Sequence, residues 1–395
     1  SFSNKSTLCF FDKKCAALKP EIPEPITAIF IFYFVRGLMV PVLKDGFGNP
    51  SSTHSFGRKI KALIERARKN IAKHLNCSPG EIFFTSGGTE ADNIAIQCAV
   101  KDLGVKHIIT SAIEHHAVGH TVERLKADGL VTLSYVHLDE NGHVDLEHLE
   151  QLLSVNPKSL VSLMHANNEI GNLLPLEQVS DICEQYGAIF HSDTVQTMAH
   201  YKFDLKVLDK VHFLTCSAHK FHGPKGIGFL YVNNRVQINP IIHGGAQERN
   251  MRGGTENVYG IVGLSKAMDV AFEGLEEHQI HVSNLKEHMI MRLNNSIQGV
   301  QYNADSANSS RSLYTVLSVS LPPTEIASML LFNMDIMGIA CSGGSACTSG
   351  ANTGSHVLAG IEAPMDRPTI RFSFSRFTTK EEIDYAVDSL LSLYS

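Results

Sequence analysis

The chain has 395 residues, of which 43% are hydrophobic and 19% are charged, a balance typical of globular proteins and not of disordered or fibrous ones. A chain of this length suggests about two domains. Its 34 basic and 40 acidic residues give a formal net charge of −6. Because that leaves no surplus of positive charge to neutralise phosphates, nucleic acid is excluded as the main partner.

The eight cysteines form neither a CxxC pair nor the spacing of a metal finger. They are Cys9, Cys15, Cys77, Cys98, Cys183, Cys216, Cys341 and Cys347. This scatter argues against a disulfide-stapled secreted fold and favours a reducing compartment. We therefore expect a cytoplasmic protein.

The longest apolar run is AIFIFYFV at 28–35, which follows prolines and precedes Arg36. Its eight residues fall far short of the ~20 that a membrane-spanning helix needs. The run also lacks the basic residues before it and the cleavage site after it that mark a secretory signal. We predict a buried strand here and no membrane association.

The following 200 residues alternate between short β-rich runs and helical patterns. The predicted strands are 107–111, 131–137, 160–165, 188–191, 213–217 and 228–232, and the predicted helices between them include 114–128, 145–153 and 176–186. This alternation predicts an α/β fold, a parallel sheet covered by helices.

The pattern changes after Gly260. A long helical stretch covers 261–294, strand-like segments follow, and a last helix begins at Thr379. This change predicts a second, smaller α+β domain.

Several common site motifs are missing from the sequence. It has no GxGxxG after a strand, no GxxxxGK[ST] and no HExxH. His116 and His120 lie one helical turn apart, but no third ligand has a matching spacing. We therefore predict no metal site.

The segment TSGGTE at 85–90 stands between a strand-like and a helix-like run. A small, glycine-containing turn at the start of a helix leaves backbone N–H groups available, and the hydroxyls of Ser86 and Thr89 add donors. The segment can therefore hold a phosphate, although a plain helix cap with an acidic first turn is the alternative.

An acid and a lysine follow two of the predicted strands. Asp193 comes directly after the strand at 188–191, and Lys220 follows the strand at 213–217. Ligands of parallel sheets bind at the carboxyl ends of the strands, and a lysine desolvated there can form a Schiff base. A phosphate cradle, an acid and a lysine are together the parts that a pyridoxal phosphate site requires.

Nine ordered motifs resemble the cysteine desulfurases of the NifS/IscS type, in the class-V aminotransferase group. They are GNPSSTHSFGR (48–58), FTSGGTEADN (84–93), IEHHAV (113–118), MHANNEIG (164–171), HSDTVQT (191–197), SAHKFHGPKGIG (217–228), GGAQERNMRGGTENV (244–258), CSGGSACTSG (341–350) and IRFSFSRFTT (370–379). The resemblance covers roughly nine-tenths of the chain.

The resemblance implies a fold-type I pyridoxal phosphate enzyme. Its large domain, expected over 36–272, would hold a mainly parallel seven-stranded sheet, and a smaller α+β domain would cover 273–395. Residues 1–35 would form an atypical N-terminal segment. The family's opening strand and Asn/Ala-Ala-Thr-Thr loop have no counterpart in the first 34 residues. Either that loop is lost, which would weaken substrate binding, or the recorded N-terminus is not the native one.

The resemblance also implies residue roles. Lys220 would form the Schiff base, Asp193 would pair with the ring nitrogen, and His115 would stack on the ring. Arg371 would bind the substrate carboxylate. The other residues expected to bind the cofactor are Gly88, Thr89, Asn168, Gln196, Ser217, His219 and Thr255, of which Asn168 would also bind substrate. Thr255 would reach the site of a neighbouring subunit, which implies a homodimer.

Cys347 would be the sulfur-accepting nucleophile. It lies in a segment of small residues, CSGGSACTSG, that is typical of a mobile loop. Its thiolate would take the sulfur of L-cysteine as a persulfide and deliver it to an acceptor protein for iron–sulfur cluster or thio-cofactor assembly, while L-alanine is released. Cys341 is expected to be an ordinary packed thiol.

Three other functions stay open at this point. Selenocysteine lyases share the fold group and act on L-selenocysteine. An aminotransferase or another lyase of the group is disfavoured by the cysteine loop. A catalytically impaired homologue that binds cofactor or partner without turnover is suggested by the atypical N-terminus.

Overall fold

The computed structural model describes residues 26–156, 158–343 and 354–394, with side chains from residue 35 onward. It opens with helix α1 (Ile26–Asp45), followed by α2 (Ser55–His74). The strand predicted over 28–35 is therefore wrong. A short apolar run does not distinguish a strand from a buried helix by periodicity. Here the helix continues past Arg36 and packs on α7 (Val258–Phe272), which buries Val35.

The larger sheet has seven strands. They are β1 (Ile82–Thr85), β2 (His107–Thr110), β3 (Thr132–Tyr135), β4 (Leu160–Ser162), β5 (Ile189–Ser192), β6 (Phe213–Ser217) and β7 (Gly228–Val232). Their spatial order is β1-β7-β6-β5-β4-β2-β3, and β7 is antiparallel to both of its neighbours while all other pairs are parallel. The predicted mainly parallel seven-stranded sheet is confirmed.

Helices follow most of the parallel strands and cover both faces of this sheet. They are α3 (Gly88–Lys101), α4 (His116–Ala127), α5 (Leu146–Val155) and α6 (Leu176–Gln185). Every residue of the central strands β2, β4 and β6 is buried, whereas the edge strand β3 is partly exposed. That burial is the reason that these strands, apart from His107 at the start of β2, are apolar or small in sequence instead of alternating.

The C-terminal part is built on a three-stranded antiparallel sheet. Its order is β10 (Thr369–Ser373), β9 (Val316–Ser320), β8 (Gln301–Tyr302). The helices of this part are α8 (Leu275–Ser296), α9 (Leu330–Ile336), α10 (His356–Gly360) and α11 (Lys380–Ser392). The helix predicted over 261–294 is two helices, because Gly274 takes a left-handed φ of 67° between α7 and α8.

The two largest hydrophobic clusters divide along the chain. One is formed by residues from 35 to 271 together with Phe377, and the other by residues from 282 to 390 together with Ala166. The limits 36–272 and 273–395 stay a prediction. Within the described ranges, no helix combines the length and the apolarity that a membrane crossing requires.

Candidate active site

A cavity of about 260 Å³ lies where the carboxyl ends of the parallel strands meet the smaller sheet. Of the expected site residues that the structure describes, all but Thr255 line it. Those lining it are Gly88, Thr89, His115, Asn168, Asp193, Gln196, Ser217, His219, Lys220 and Arg371. The sheet supplies one wall, and Val316, Arg371 and Ser373 of the small domain supply the other.

Asp193 is a buried carboxylate at the end of β5. It is 5% exposed, and its Oδ1 accepts the backbone N–H of Val195 at 2.8 Å and the hydroxyl of Thr215 at 3.3 Å. Burial raises the pKa of Asp193 to about 6, and the nearby Asp92 carboxyl adds to that rise. A cationic group bound in the cavity would therefore pair with a carboxylate that is shielded from water.

Lys220 lies in a short 3₁₀ turn, Ala218–Phe221, that continues directly from β6. Its backbone carbonyl accepts a hydrogen bond from Nε2 of His200 at 3.1 Å, and Nδ1 of the same ring lies 3.0 Å from the hydroxyl of Tyr314. Because a carbonyl only accepts, Nε2 carries the proton and the tyrosine donates to Nδ1. Burial lowers the pKa of His200 to about 4, which keeps this ring neutral.

The start of α3 forms an anion cradle. Gly87 precedes the helix and provides no side-chain cap, so the first backbone N–H groups of α3 face the cavity through Gly88 and Thr89. A β-carbon on residue 88 would lie 2.5 Å from Cγ2 of Val195, so only glycine fits. Ser217 Oγ and His219 Nδ1, 2.9 Å apart, add polar groups to the same place.

His115 faces the cavity from the start of α4. Its Nδ1 accepts the backbone N–H of Ala117 at 3.1 Å, which caps the helix and fixes the orientation of the ring. Burial lowers the pKa of His115, although the charge of Asp193 works in the opposite direction. The ring is thus held as a neutral plane at the cavity wall.

Arg371 reaches the cavity from β10. Its Nη1 donates to the backbone carbonyl of Asn168 at 2.8 Å. The Arg371 backbone also pairs with Ser342, donating to its carbonyl at 2.6 Å and accepting from its N–H at 3.2 Å. The segment that carries Cys341 and Cys347 therefore begins beside Arg371.

Two expected site residues are not among the described residues that line the cavity. Cys347 lies outside the described residues. Thr255 lines a separate pocket of about 180 Å³ together with Arg252 and Glu248. Its expected contribution to a neighbouring subunit is untested by a single chain and stays a prediction.

Four residues beside the cavity were missed by the sequence analysis. They are Asp92, Glu114, His200 and Thr215. Asp92 and Glu114 lie inside the motifs FTSGGTEADN and IEHHAV, so a signal was available for them. The sequence contains no signal for Thr215, which is an ordinary strand residue. It contains none for His200 either, because that ring hydrogen-bonds the backbone of Lys220, 20 positions away.

The donors of the cavity fit pyridoxal phosphate. The cradle at α3 suits its phosphate, Asp193 suits a protonated ring nitrogen, and Lys220 offers an amine for its aldehyde. The Oδ1 atom of Asn168 is buried with no hydrogen-bond partner among the described residues, which is the condition of an acceptor that awaits a ligand.

Comparison with known proteins agrees with this fit. The model of the class-V aminotransferase family matches residues 36–386. A cysteine desulfurase IscS of Dictyoglomus turgidum is 41% identical over 359 residues, which are 89% of each chain. One of Clostridium botulinum is 41% identical over 357 residues, 89% of this chain and 88% of that one.

Solved structures give the same result. A NifS-like protein superposes with a TM-score of 0.83 at 36% identity and covers 91% of this chain and 95% of its own. The NifS-like protein from Rickettsia africae gives a TM-score of 0.81 at 31% identity, with the same coverage of 91% and 95%. The chain therefore belongs to the class-V aminotransferase family and, within it, to the pyridoxal phosphate-dependent cysteine desulfurases of the NifS/IscS type.

Proposed function

We propose that this enzyme transfers the sulfur of L-cysteine to Cys347 and releases L-alanine. The observation that carries the proposal is that one cavity is lined by Lys220, Asp193, His115 and Arg371. The segment that leads to Cys347 begins next to this cavity, where Ser342 pairs with the backbone of Arg371. A solved relative, SspA in complex with cysteine, has a TM-score of 0.75 at 30% identity and covers 88% of this chain and 96% of its own. That complex supports cysteine as the substrate.

The residues divide the work of substrate binding. Arg371 presents a planar guanidinium that can bind a carboxylate through two hydrogen bonds. Its backbone is fixed by Ser342 and its Nη1 by the carbonyl of Asn168, so the fork is oriented before substrate arrives. His115 forms a rigid wall against which a flat ring can stack.

Lys220 is proposed to anchor the cofactor and to move the α-proton of the substrate. When bound, pyridoxal phosphate withdraws electrons from the α-carbon of an attached amino acid. Asp193 holds the proton on the ring nitrogen, which strengthens that withdrawal. The contact of His200 with the Lys220 carbonyl fixes the turn that carries the amine.

Cys347 is proposed to complete the reaction. Its thiolate attacks the sulfur of the substrate, an S–S bond forms, and the C–S bond breaks with its electron pair staying on the β-carbon. That carbon takes a proton to become the methyl group of alanine. The thiol of L-cysteine thus becomes the outer sulfur of a persulfide, and no external oxidant or reductant is needed.

We infer a homodimer from the surface near Thr255. Phe47 and Phe56 are 76% and 52% exposed, and their ring centroids are 5.0 Å apart. The neighbouring Ser51 contacts Gln247, whose Oε1 accepts the N–H of Gly254 beside Thr255. A partner that covered the exposed aromatic pair would lie next to Thr255. Light scattering is expected to give twice the 43.3 kDa chain mass, and Phe56→Asp is expected to lower it.

The decisive measurement is alanine release from L-cysteine and, separately, from L-selenocysteine. We expect Lys220→Ala to lose turnover of both and Cys347→Ala to keep bound cofactor but release little alanine from cysteine. Cys341→Ala is the matched control, because burial raises the pKa of that thiol to about 11 and disfavours a reactive thiolate. Ordinary alanine release by Cys347→Ala would contradict the proposal, and turnover of selenocysteine alone would indicate a selenocysteine lyase.

A persulfide on Cys347 must be consumed by an acceptor, and we propose a sulfur-carrier or cluster scaffold protein in the cytoplasm. A thiol reductant is expected to replace that acceptor in the assay and to release sulfide. Sulfide and alanine in equal amounts would support a transferable persulfide, whereas alanine without sulfide would contradict it.

A further inference from the structure

A second buried carboxyl lines the cavity beside Asp193. Asp92, the fifth residue of α3, is 1% exposed and shares the cavity wall with Asp193. The hydroxyl of Thr215 lies beside both side chains, 3.3 Å from Oδ1 of Asp193 and within hydrogen-bonding reach of the carboxyl of Asp92. A third carboxyl, Glu114, is 3% exposed nearby.

These carboxyls do not all fit the cavity as anions. The groups that face Asp92 and Asp193 are His191 on β5, Glu114, His115 before α4 and Lys220 after β6. His191 is fully buried, and its pKa is lowered to about 4 by burial, so it offers no positive charge near neutral pH. With Lys220 joined to the cofactor, the one cationic ring nitrogen would balance one carboxylate, and a second buried anion would cost free energy.

The hydrogen bonds decide which carboxyl is the anion. Asp193 Oδ1 accepts from the Val195 N–H and faces the Thr215 hydroxyl. Asp92 Oδ1 has no hydrogen-bond partner in the described structure, and Nε2 of His191 lies 3.4 Å from it. Donors stabilise the charged form of a carboxyl, so the charge belongs on Asp193.

We propose that Asp92 is a positioning residue that stays a neutral carboxylic acid and donates its proton to the oxygen of Thr215. A hydroxyl has a single proton, and when its oxygen accepts from Asp92 that proton is directed to Asp193. Burial raises the pKa of both carboxyls, to about 7 for Asp92 and about 6 for Asp193, which favours a neutral acid at one of the two positions. The chain Asp92–Thr215–Asp193 thus keeps the negative charge where the ring nitrogen would bind.

The inference rests on the proposed function only in its use of pyridoxal phosphate, and it does not require that cysteine is desulfurated. Its test therefore measures the absorption band of the bound cofactor in the holoenzyme as a function of pH. The quantity compared between variants is the pH at the midpoint of the change in that band. Asp92→Asn keeps a donor toward Thr215 and should leave the titration midpoint within a few tenths of a pH unit. Asp92→Ala should shift it upward by about one unit, because Asp193 loses part of its stabilisation.

The hydroxyl is tested by a matched pair of variants. Thr215→Val preserves shape and removes the donor, so it should shift the midpoint as Asp92→Ala does. Thr215→Ser restores the hydroxyl and should restore the wild-type midpoint. A shift in Asp92→Asn as large as that in Asp92→Ala would overturn the proposal, because it would mean that Asp92 is an anion in the wild type.

A second measurement is independent of the cofactor and of folding differences among the alanine variants. The infrared difference between wild type and Asp92→Asn should contain the carbonyl stretch of a protonated carboxylic acid near neutral pH. If the difference contains carboxylate bands instead, Asp92 is charged and the proposal fails. Loss of cysteine turnover with these signals intact would reject the proposed function alone.

Discussion

Two buried clusters of charged side chains in the large domain are built in opposite ways. Arg68 and Glu248 form a closed pair, with Nη1 and Nη2 each 2.8 Å from a different carboxylate oxygen. Arg68 also donates to the carbonyl of Ile82 at 2.7 Å, and Glu248 accepts the N–H of Phe84 at 2.8 Å. Asp92 and Asp193, 1% and 5% exposed, lie beside one hydroxyl, and the ion-pair contact of Asp92 is with His191, 3.4 Å away, whose pKa burial lowers to about 4.

The difference separates a structural charge cluster from a ligand-binding one. A buried ion pair in which both carboxylate oxygens accept hydrogen bonds joins segments far apart in sequence, here α2, β1 and the turn before α7. A buried carboxylate that lacks a cation raises the free energy of the empty cavity, and that cost is offset when a cationic ligand binds. Incomplete pairing is therefore the signature of the cofactor site.

The largest effect on stability is expected from Arg68→Met. The substitution keeps most of the side-chain volume but leaves Glu248 as an unpaired buried charge, which costs on the order of 3–5 kcal/mol. We expect a lower urea midpoint for unfolding of the holoenzyme. The double variant with Glu248→Leu removes the orphaned charge and should recover part of the loss. A double variant less stable than the single one would contradict the closed-pair interpretation.

The sequence predicted the ligand-binding cluster better than the structural one. Glycines, Lys220 and Asp193 carry site chemistry in short motifs next to predicted strands, so local patterns reveal them. Arg68 and Glu248 are 180 residues apart, and only the tertiary fold brings them together. The same limit explains the missed contact between His200 and Lys220. It also explains α1, because its packing on α7 decides whether an apolar run is a helix or a strand.

Asp193→Asn should separate function from stability. Loss of the anion that pairs with the ring nitrogen is expected to lower kcat on the order of 10²–10³-fold. The same change removes a buried carboxylate whose burial raises its pKa to about 6. The melting temperature of the cofactor-free protein should therefore stay the same or rise. A clear loss of stability without cofactor would place Asp193 in the structural class with Arg68.

Lys286 offers an intermediate case in the small domain. It is 1% exposed, and its Nζ donates to Ser312 Oγ at 2.8 Å and to the carbonyl of Leu313 at 3.0 Å. No ion pair of the described residues includes it, and burial lowers its pKa to about 7. Between about pH 7 and its ordinary value of 10.5 the unfolded chain binds more protons than the folded one, so stability rises with pH there.

Lys286→Met should remove that rise, which we expect to amount to a few kcal/mol across the window. The measurement is the melting temperature of both proteins as a function of pH, with the difference between the two curves isolating this lysine. The wild type should gain stability relative to the variant as the pH increases. Parallel curves would show that Lys286 is charged in the folded protein at every pH tested.

The smallest effect is expected from Lys202→Met, which breaks an ion pair at the surface. Lys202 and Glu276 are 2.8 Å apart, the same separation as Arg68 and Glu248, yet their side chains are 69% and 74% exposed and not 2% each. Water solvates both charges whether or not they meet, so we expect no measurable change in melting temperature and no dependence on salt. The N···O separation is the same in both ion pairs. A large drop in the melting temperature of Lys202→Met would therefore show that separation, and not burial, determines how much such a pair stabilises the fold. An unchanged melting temperature in Lys202→Met, together with the loss of stability in Arg68→Met, would show that burial causes the difference between the two pairs.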